Sequence, residues 1–241
     1  MGWRLIDTAI TDPYYVTALD EAISIARKEK KVENTLHFYS RKPAAVSIGR
    51  SKKIRYDVDI DACKKNNVKI VRRTTGGGSV YTDKGCLIYS LIFDKKRLRF
   101  SSPQEIFENI CNCLVCGFKK IGIDALYKPP NDILLNVKKI SGSAQIIKED
   151  IVLIHGTVLV DTDLELMNKV LKKIKKGYVS TIYRETKKNI SFNELKNVFK
   201  KEFEVTFNTG FEKTDISTYE KGLVNRLLNE RYHNDSWNYM R

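Results

Sequence analysis

The chain has 241 residues, of which 42% are hydrophobic, and a net charge of +14. This length and composition are typical of one large domain with a hydrophobic core, and they exclude a disordered chain. No stretch approaches the roughly 18 apolar residues of a membrane span, and the N-terminus lacks the apolar segment of a signal peptide. We therefore expect a cytoplasmic protein that does not enter a membrane.

The positive charge is scattered along the chain in clusters such as Lys95-Lys96-Arg97 and the lysine run at 172–176. A positive field attracts acidic partners, either nucleic acid or an acidic protein. No nucleic-acid-binding motif is present, and aromatic residues do not alternate with the basic ones, so we do not expect nucleic acid. The alternative for each cluster is a solvated lysine-rich face.

Five cysteines occur, an odd number without a secretory signal, which predicts reduced thiols. Cys111, Cys113 and Cys116 are close enough in sequence to suggest a metal site. They fall in a predicted helix, however, where residues two apart point in different directions. We therefore expect cysteines of the core or of an interface.

The first predicted elements are a strand at 3–7, a helix from 12 to about 30, strands at 35–39 and 45–49, and a helix at 59–65. Asp12 and Pro13 form the start of the first helix, a cap followed by proline in the first turn. Apolar residues from Val16 to Ala26 repeat at helical spacing. This pattern places Asp20 and Glu21 on the polar side of the helix.

The central motif of the sequence occupies residues 72–81 and reads RRTTGGGSVY. It follows a β-branched run at 68–71 and leads into strands at 79–81 and 87–93. Its three glycines allow positive φ angles and leave N–H groups unshielded, so they can point at phosphate or carboxylate oxygens. Its two arginines suit forked contacts to the same anions. The motif predicts an anion-binding hairpin inside a sheet, and the alternative is a flexible turn.

The second half begins with a capping box at Ser102–Glu105, which opens a helix to about Gly122. Residues 127–160 are predicted to form a meander of antiparallel strands. Helices follow at 163–173, from a second capping box at 191–194 to about 203, and at 218–232, with a short strand at 205–207. No repeat or low-complexity linker interrupts the chain, so residues 1–241 are predicted to be a single domain.

Four motifs at these separations resemble those of the lipoate–protein ligase family. They are RRTTGGGSVYTD at 72–83, NDI at 131–133, KKISGSA at 138–144 and HGTVL at 155–159. The resemblance covers nearly the whole chain. It implies an α+β fold with a mixed, largely antiparallel central sheet flanked by helices, of the biotin/lipoate protein ligase type and similar to class II aminoacyl-tRNA synthetases.

The resemblance also implies an activity. It is the ATP-dependent attachment of lipoate, or of octanoate, to the lysine of a lipoyl domain through a lipoyl-AMP intermediate. The expected acceptors are lipoyl domains of 2-oxoacid dehydrogenase complexes or the glycine cleavage H protein. Residues implied to hold the nucleotide phosphates and the lipoate carboxyl end are Arg73, Gly76, Gly77, Gly78, Ser79, Val80 and Tyr81.

Three further residues receive roles from the same resemblance. Lys139 is the implied catalytic residue, contacting both the acyl carbonyl and the phosphate, Asp132 is an implied Mg²⁺ ligand, and Asn131 is implied to read the adenine. The alternatives are a solvated hairpin lysine at 139 and an aspartate that only caps a turn at 132. His155, in the middle of a predicted strand, is either a core histidine or a residue that shapes the site.

The sequence departs from the family pattern at three places. Thr82 stands where the family usually has His, and Cys86 where it often has Asn. The chain ends at Arg241, where bacterial ligases typically continue into a small accessory domain that helps to form the acyl-adenylate. From this ending we expect either a separate accessory subunit or a chain limited to the transfer half-reaction.

Three alternative functions remain. Biotin ligases share the expected fold, but their GRGRxGRxW loop is absent. Octanoyltransferases and lipoyl amidotransferases work without ATP through a cysteine acyl-thioester. Residues 124–137 contain no cysteine, and none follows Cys116, which leaves Cys86 as the candidate thiol. The third alternative is a non-catalytic protein that binds lipoate or lipoyl domains.

Overall fold

A computed structural model describes residues 2–98, 100–174 and 177–240. Its strands are β1 (Trp3–Thr11), β2 (Asn34–Arg41), β3 (Ala45–Ile48), β4 (Lys69–Arg72), β5 (Val80–Thr82), β6 (Cys86–Asp94), β7 (Leu126–Lys128), β8 (Asp132–Leu135), β9 (Lys138–Lys148), β10 (Ile151–Leu159) and β11 (Phe211–Lys213). Its helices are α1 (Pro13–Lys28), α2 (Ile54–Asp57), α3 (Ile60–Lys65), α4 (Pro103–Lys120), α5 (Leu164–Val170), α6 (Ile182–Thr186), α7 (Phe192–Phe207), α8 (Thr218–Leu227) and α9 (Asp235–Asn238).

The larger sheet has eight strands in the order β11-β1-β2-β6-β10-β9-β8-β7. Strand β1 pairs in parallel with β2 and β11, and the other neighbours are antiparallel. The expected α+β fold with a mixed, largely antiparallel sheet is therefore confirmed. The predicted meander is also confirmed, since β7, β8, β9 and β10 follow one another in the sheet.

Helices cover both faces of this sheet because side chains alternate between the faces along each strand. Phe38 and Leu87 belong to a core cluster that includes α4 and α7, which pack on each other. Their neighbours Tyr39 and Ile88 point to the other face, where Val16 of α1 joins them. Helix α8 packs against α1 on that side. This second face also carries the candidate site.

A separate sheet of three strands, in the order β4-β3-β5, holds the glycine-rich stretch. The predicted hairpin is wrong, because β4 and β5 do not pair with each other. Strand β3 lies between them, parallel to β4 and antiparallel to β5. Residues 73–79 therefore connect two strands that are not neighbours. This connection is longer than the tight turn of a hairpin.

Two other expectations are wrong. Residues 205–207 belong to α7 and not to a strand, because the helix begun by the Ser191 cap runs through to Phe207. The strand of this region is β11, four residues later. Asp20 does not lie on the polar side of α1; it is 2% exposed and faces the large sheet. No described helix is long and apolar enough to cross a membrane.

Candidate active site

The sheet aligns residues from five strands in one row beneath the site. Tyr39 pairs with Ile88, Ile88 with Thr157, Thr157 with Gly142, and Gly142 with Asp132. At about 4.8 Å per strand, this row spans roughly 19 Å. A cavity of about 170 Å³ lies over the row, between the large sheet and the residues of β3, β5 and the glycine loop.

Arg73 builds the glycine loop from within. Its side chain is 5% exposed, and its guanidinium donates to Thr75 Oγ1 (3.0 Å) and Ser47 O (2.8 Å). It also donates to the carbonyl oxygens of Gly76 (2.6 Å) and Gly78 (2.7 Å). Arg73 lines the cavity, and four of its hydrogen bonds go to the chain's own oxygens. Its position therefore suits a residue that orders the loop.

The same contacts orient two amide groups. In a trans peptide the C=O and the following N–H point in opposite directions. Since the carbonyls of Gly76 and Gly78 turn toward Arg73, the N–H groups of Gly77 and Ser79 turn away from it. Neither N–H has an acceptor among the described residues. Two free N–H groups that both turn away from Arg73 beside a cavity form the kind of concavity that binds anions.

Only one loop glycine needs positive φ. Gly77 has φ +88°, whereas a Cβ added to Gly76 or Gly78 would meet nothing within 4 Å. Gly77, Gly78, Ser79 and Val80 line the cavity, and Gly76 does not. Tyr81 also lies apart from it, because its ring packs in the core beneath the small sheet.

Arg72, the other arginine of the motif, has a structural role. Its side chain is fully buried and donates to backbone carbonyls of two segments. These are Gly49, Arg50 and Lys52 after β3, and Trp237, Asn238 and Met240 near the C-terminus. Arg72 thus fastens the C-terminal segment behind the glycine loop.

Lys139 and Asp132 meet at the other end of the row. Lys139 Nζ lies 2.6 Å from Asp132 Oδ1, and both side chains are partly exposed. The backbone of Lys139 is hydrogen-bonded to Tyr178 O and to Ser180 N, on a segment that runs parallel to β9 at this point. The Tyr178 hydroxyl lies 3.5 Å from Asp132 Oδ2 and accepts a hydrogen bond from Lys128 Nζ (3.0 Å).

Two neighbours fix this corner. A Cβ at Gly142 would lie 2.7 Å from Lys139 Nζ and Cε, so the glycine leaves the space that the lysine occupies. The Asn131 side-chain amide donates to Ser143 O, and Ser143 N donates back to Asn131 O. Asn131 lines the cavity, but its amide nitrogen is committed to the chain, which leaves its Oδ1 for a ligand.

A buried polar network supports the loop from below. Asp20 accepts hydrogen bonds from Tyr39 and Ser90, and its carboxylate faces His37 Nδ1 (3.0 Å) and His155 Nδ1 (3.4 Å). His155 Nε2 lies 2.8 Å from Thr75 Oγ1, the same hydroxyl that Arg73 contacts. His155 therefore connects α1 to the glycine loop, which agrees with a site-shaping role.

Burial sets the charge states in this network. Burial lowers the pKa of His155, and the positive charges of Arg73 and Arg41 lower it further, against the opposing effect of Asp20. Burial by itself would raise the pKa of Asp20, but hydrogen bonds from His155 and His37 more than offset it, so the pKa lies below its ordinary value. The network thus holds an ionised aspartate beside a neutral His155 at neutral pH.

None of the five cysteines lines the cavity. Burial raises the pKa of the Cys86 thiol well above its ordinary value, and burial raises the pKa of both Cys111 and Cys113 to about 12. Such thiols stay protonated and are poor nucleophiles. Cys116 is the exposed cysteine, and it lies on α4, which covers the opposite face of the sheet.

A magnesium ion at this site would take most of its ligands from the phosphates of a nucleotide. No cluster of three or more His, Cys, Asp or Glu side chains suited to a metal occurs in the described parts of the chain. Mg²⁺ is commonly held by one or two carboxylates together with substrate phosphates. Asp132 fits that arrangement as a single carboxylate paired with Lys139, which lines the cavity.

Several residues near the site are not predicted from the sequence. Asp20 could have been found, because it follows Val16 by four residues and precedes Ile23 by three, which is the apolar face of α1. Tyr178 lies in an irregular segment that gives no periodic signal. Arg41, a buried residue that lines the cavity, is the last residue of β2, and the sequence gives no alternating signal for its burial because all eight residues of that strand are buried.

Comparisons with known proteins add family information. Residues 12–204 match the family model of the lipoyl protein ligase A/B catalytic domain. Curated relatives include octanoyltransferase LipM of Geobacillus kaustophilus, 29% identical over 99% of this chain and 98% of that protein. LipM of Clostridioides difficile is 31% identical over 98% of each. These names favour acyl transfer without ATP, the alternative above, over the ATP-dependent ligase.

Solved structures are similar over the full length as well. A lipoate-protein ligase A bound with ATP has a TM-score of 0.88 and 27% identity over 99% of both chains. One part of a bi-partite lipoate protein ligase from Thermoplasma acidophilum, described with its E2 lipoyl domain, has a TM-score of 0.87 and 27% identity. The similarity covers 100% of this chain and 98% of that one.

Proposed function

Because the chain belongs to the lipoyl protein ligase A/B catalytic domain family, we propose that it attaches a lipoyl or octanoyl group to the lysine of a lipoyl domain through an acyl-adenylate. The observation that carries this proposal is the composition of the cavity. Free amide groups and Lys139 lie around it, while every cysteine lies elsewhere. Such a site can bind phosphate and stabilise an oxyanion, but it offers no thiol for an acyl-thioester.

In the first half-reaction, a carboxylate oxygen of the acyl substrate attacks the α-phosphorus of ATP, and the bond to pyrophosphate breaks. Two anions must approach each other, so cations and oriented N–H groups are needed. The N–H groups of Gly77 and Ser79 are assigned to phosphate oxygens. Lys139 is assigned to the oxygens between acyl carbon and phosphorus, exchanging Asp132 for the ligand as it does so.

The ionic partner of Lys139 then has a second use. Asp132, freed from the lysine, is assigned to Mg²⁺ carried by the nucleotide, which would neutralise phosphate charge when bound. A single carboxylate is enough because the phosphates supply further oxygen ligands. This assignment predicts that Asp132 matters more for making the adenylate than for using it.

In the second half-reaction, the acceptor lysine attacks the acyl carbon as a neutral amine. The carbon–oxygen bond to AMP breaks, an amide forms, and the amine loses a proton. Negative charge develops on the acyl oxygen in the transition state, and Lys139 is assigned to stabilise it. A group that meets this developing charge in a partly enclosed site contributes a factor of about 10² to 10³.

Octanoyl transfer from a thioester donor is the second candidate, and the names of the curated relatives favour it. It requires a thiolate near Lys139. Cys86 is the cysteine that follows the glycine loop, but it is fully buried on β6 and pairs with Leu159, two residues beyond the row that underlies the cavity. The adenylate route therefore agrees better with the site.

A panel of acyl donors tests the proposal. The purified chain is mixed with an acceptor lipoyl domain and with one of three donors: lipoate plus ATP and Mg²⁺, preformed lipoyl-AMP, or an octanoyl thioester of a carrier protein. Intact mass of the acceptor is the readout. We expect a gain of one lipoyl group from lipoyl-AMP, and from lipoate with ATP either directly or after an accessory ligase component is added.

The Cys86→Ser variant gives the matched comparison. We expect it to transfer from lipoyl-AMP at the wild-type rate. If the wild type transfers only from the octanoyl thioester, and Cys86→Ser loses that transfer, the protein is an octanoyltransferase instead. If no donor leads to modification of the acceptor, the remaining alternative is a non-catalytic protein that binds lipoate or lipoyl domains.

A further inference from the structure

Arg41 is a buried cation whose donors the chain does not use up. It lies at the end of β2, lines the cavity and is 4% exposed. Of its five N–H donors, Nη1 reaches Thr82 Oγ1 (3.3 Å) and Nη2 reaches Thr17 Oγ1 (2.9 Å). Its Nε has no partner, and no ion pair of Arg41 occurs in the described parts of the chain.

The two hydroxyl partners are themselves arranged for the guanidinium. Thr82 donates to Ala45 O and Thr17 to Pro13 O, so both hydroxyls present lone pairs to Arg41. These two hydroxyl groups therefore fix the position of the Arg41 guanidinium in the cavity wall.

The position of Arg41 matches the far end of an acyl chain. It follows Tyr39 by two residues, so it shares the face of β2 that carries the row to Asp132. Tyr39 is two strands from Thr157 and three from Gly142, or roughly 10 and 14 Å. Seven bonds of extended chain span about 8 Å, at 3.3–3.6 Å for each three bonds. A carboxyl group held beside Lys139 thus directs an eight-carbon chain toward Tyr39 and Arg41, and the chain's end lies about 6 Å short of the Tyr39 backbone, a gap that the side chains of these two residues face.

The walls between these two ends are largely apolar. Val80 and Ile88 line the cavity together with the ring of Tyr39, whose hydroxyl is committed to Asp20. An alkyl chain fits such walls. Its terminal methyl group, however, would cover Arg41 without accepting a hydrogen bond, which is costly for a buried donor. The sulfur atoms of a dithiolane ring are polarizable and accept weak hydrogen bonds.

We propose that Arg41 makes the site selective for a lipoyl group over an octanoyl group, by offering unused donors to the ring sulfurs at the inner end of the cavity. This inference rests on the proposed function, because it concerns the acyl group which that reaction transfers. It also gives a reason for Thr82, whose short side chain leaves room for the guanidinium.

An internal competition tests it. Equal concentrations of preformed lipoyl-AMP and octanoyl-AMP compete for limiting lipoyl domain, and the masses of the two products give the selectivity. We expect the wild-type chain to prefer lipoyl by about tenfold, the effect of 1.4 kcal/mol. Arg41→Met, which keeps an unbranched stem but removes the donors, should bring the ratio close to one.

Two variants control the result. Arg41→Lys keeps a cation and should retain part of the preference, whereas Arg55→Met, an exposed arginine outside the cavity, should behave as wild type. Because a ratio is measured, partial unfolding of a variant does not alter it, and the wild-type ratio alone decides if Arg41→Met fails to fold.

The failures are distinguishable. Equal transfer or octanoyl preference by the wild type, or an unchanged ratio in a folded Arg41→Met variant, would overturn the inference while the proposed function stands. Equal loss of both products would also overturn it, since Arg41 would then contact the part that the two donors share. No transfer from either adenylate would overturn the proposed function and the inference with it.

Discussion

The glycine loop and the Lys139–Asp132 corner border the same cavity, but the chain holds them by different means. The loop is fixed by a buried guanidinium that donates to three backbone carbonyls and a threonine hydroxyl. The corner consists of two partly exposed side chains in one ion pair. The loop is therefore built before any ligand arrives, whereas the corner must exchange partners when one binds.

This difference separates stability from chemistry. A change to the loop removes internal contacts, so it affects folding and ligand binding together. A change at the corner removes a weakly stabilising pair, since partly exposed ion pairs contribute about 0 to 1 kcal/mol, and it affects mainly the reaction. If this separation holds, variants of the loop should lose mainly stability and variants of the corner should lose mainly rate.

Arg73→Met should have the largest effect on stability. Ser47, Gly76 and Gly78 would each lose a charged donor to a buried or partly buried carbonyl, and we expect the free energy of unfolding to fall by about 3 kcal/mol or more. Urea denaturation measures it, with Arg55→Met as the exposed control. A loss within about 0.5 kcal/mol would mean that the loop holds its shape without the arginine.

Lys139→Ala should have the largest effect on rate with little effect on folding. We expect acyl transfer from lipoyl-AMP to fall by about 10² or more, and the free energy of unfolding to change by less than about 1 kcal/mol. Single-turnover kinetics and urea denaturation are the two measurements. Lys138→Ala, one residue away and 40% exposed, should keep its activity. Equal rates in the two variants would remove Lys139 from the reaction.

Gly142→Ala should disturb the corner without touching its charges. The new methyl group would occupy the space of Lys139 Nζ and Cε, which can swing away because they are the end of a flexible side chain. We expect transfer to slow by roughly tenfold, about 1.4 kcal/mol, with stability nearly unchanged. Gly222→Ala, where a Cβ meets nothing within 4 Å, is the control. Wild-type kinetics in Gly142→Ala would show that the lysine needs no fixed position.

The loop glycines should differ from one another. Gly77→Ala should cost about 1–2 kcal/mol of stability because residue 77 has φ +88°, and Gly76→Ala should stay within about 0.5 kcal/mol because its added Cβ meets open space. Thermal or urea unfolding of the pair gives the difference directly. If both variants lose the same stability, residue 77 does not have a positive φ in the folded chain.

The smallest expected effect is a dependence on pH. Since the pKa of His155 lies below its ordinary value of 6.5 in the folded chain, the unfolded chain binds the proton more readily. The contribution of neutral His155 to stability is therefore complete above about pH 6.5 and decreases as the pH falls through the folded pKa. Asp20, whose pKa also lies below its ordinary value of 3.8, acts at lower pH.

The His155→Gln variant isolates that contribution. Between pH 7 and pH 5, the free energy of unfolding should fall more in the wild type than in His155→Gln, measured by urea denaturation at each pH. Parallel curves for the two proteins would show that His155 does not link the loop to Asp20 in the neutral form.

Much of this architecture could be read from the sequence because local signals carried it. The caps at Asp12, Ser102 and Ser191 begin helices where they were expected, and each side chain accepts a hydrogen bond from the first turn. The alternating strands of 127–160 form the expected meander. Four short motifs also brought the glycine loop, Asp132 and Lys139 together, although they are up to about 60 residues apart in the chain.

The features that the sequence does not predict depend on contacts between distant segments. No local signal places β3 between β4 and β5, so a loop bridging two strands resembled a hairpin. The sequence predicts Arg73 as a ligand for anions, but it does not show the four oxygens of the chain that accept hydrogen bonds from this guanidinium. Asp20 was assigned to the polar side of α1 because its charge outweighed its position in the apolar repeat. His37 gave no signal, yet it is buried against that aspartate.

In the proposed reaction, the acyl group passes from the adenylate to the acceptor lysine without forming a bond to the enzyme. The most direct test is the intact mass of the chain itself after incubation with lipoyl-AMP or an octanoyl thioester and no acceptor, followed by addition of the lipoyl domain. We predict an enzyme of unchanged mass and an acceptor that gains one acyl group from the adenylate. A hydroxylamine-sensitive acyl adduct on the enzyme, lost when the acceptor is added, would contradict the account.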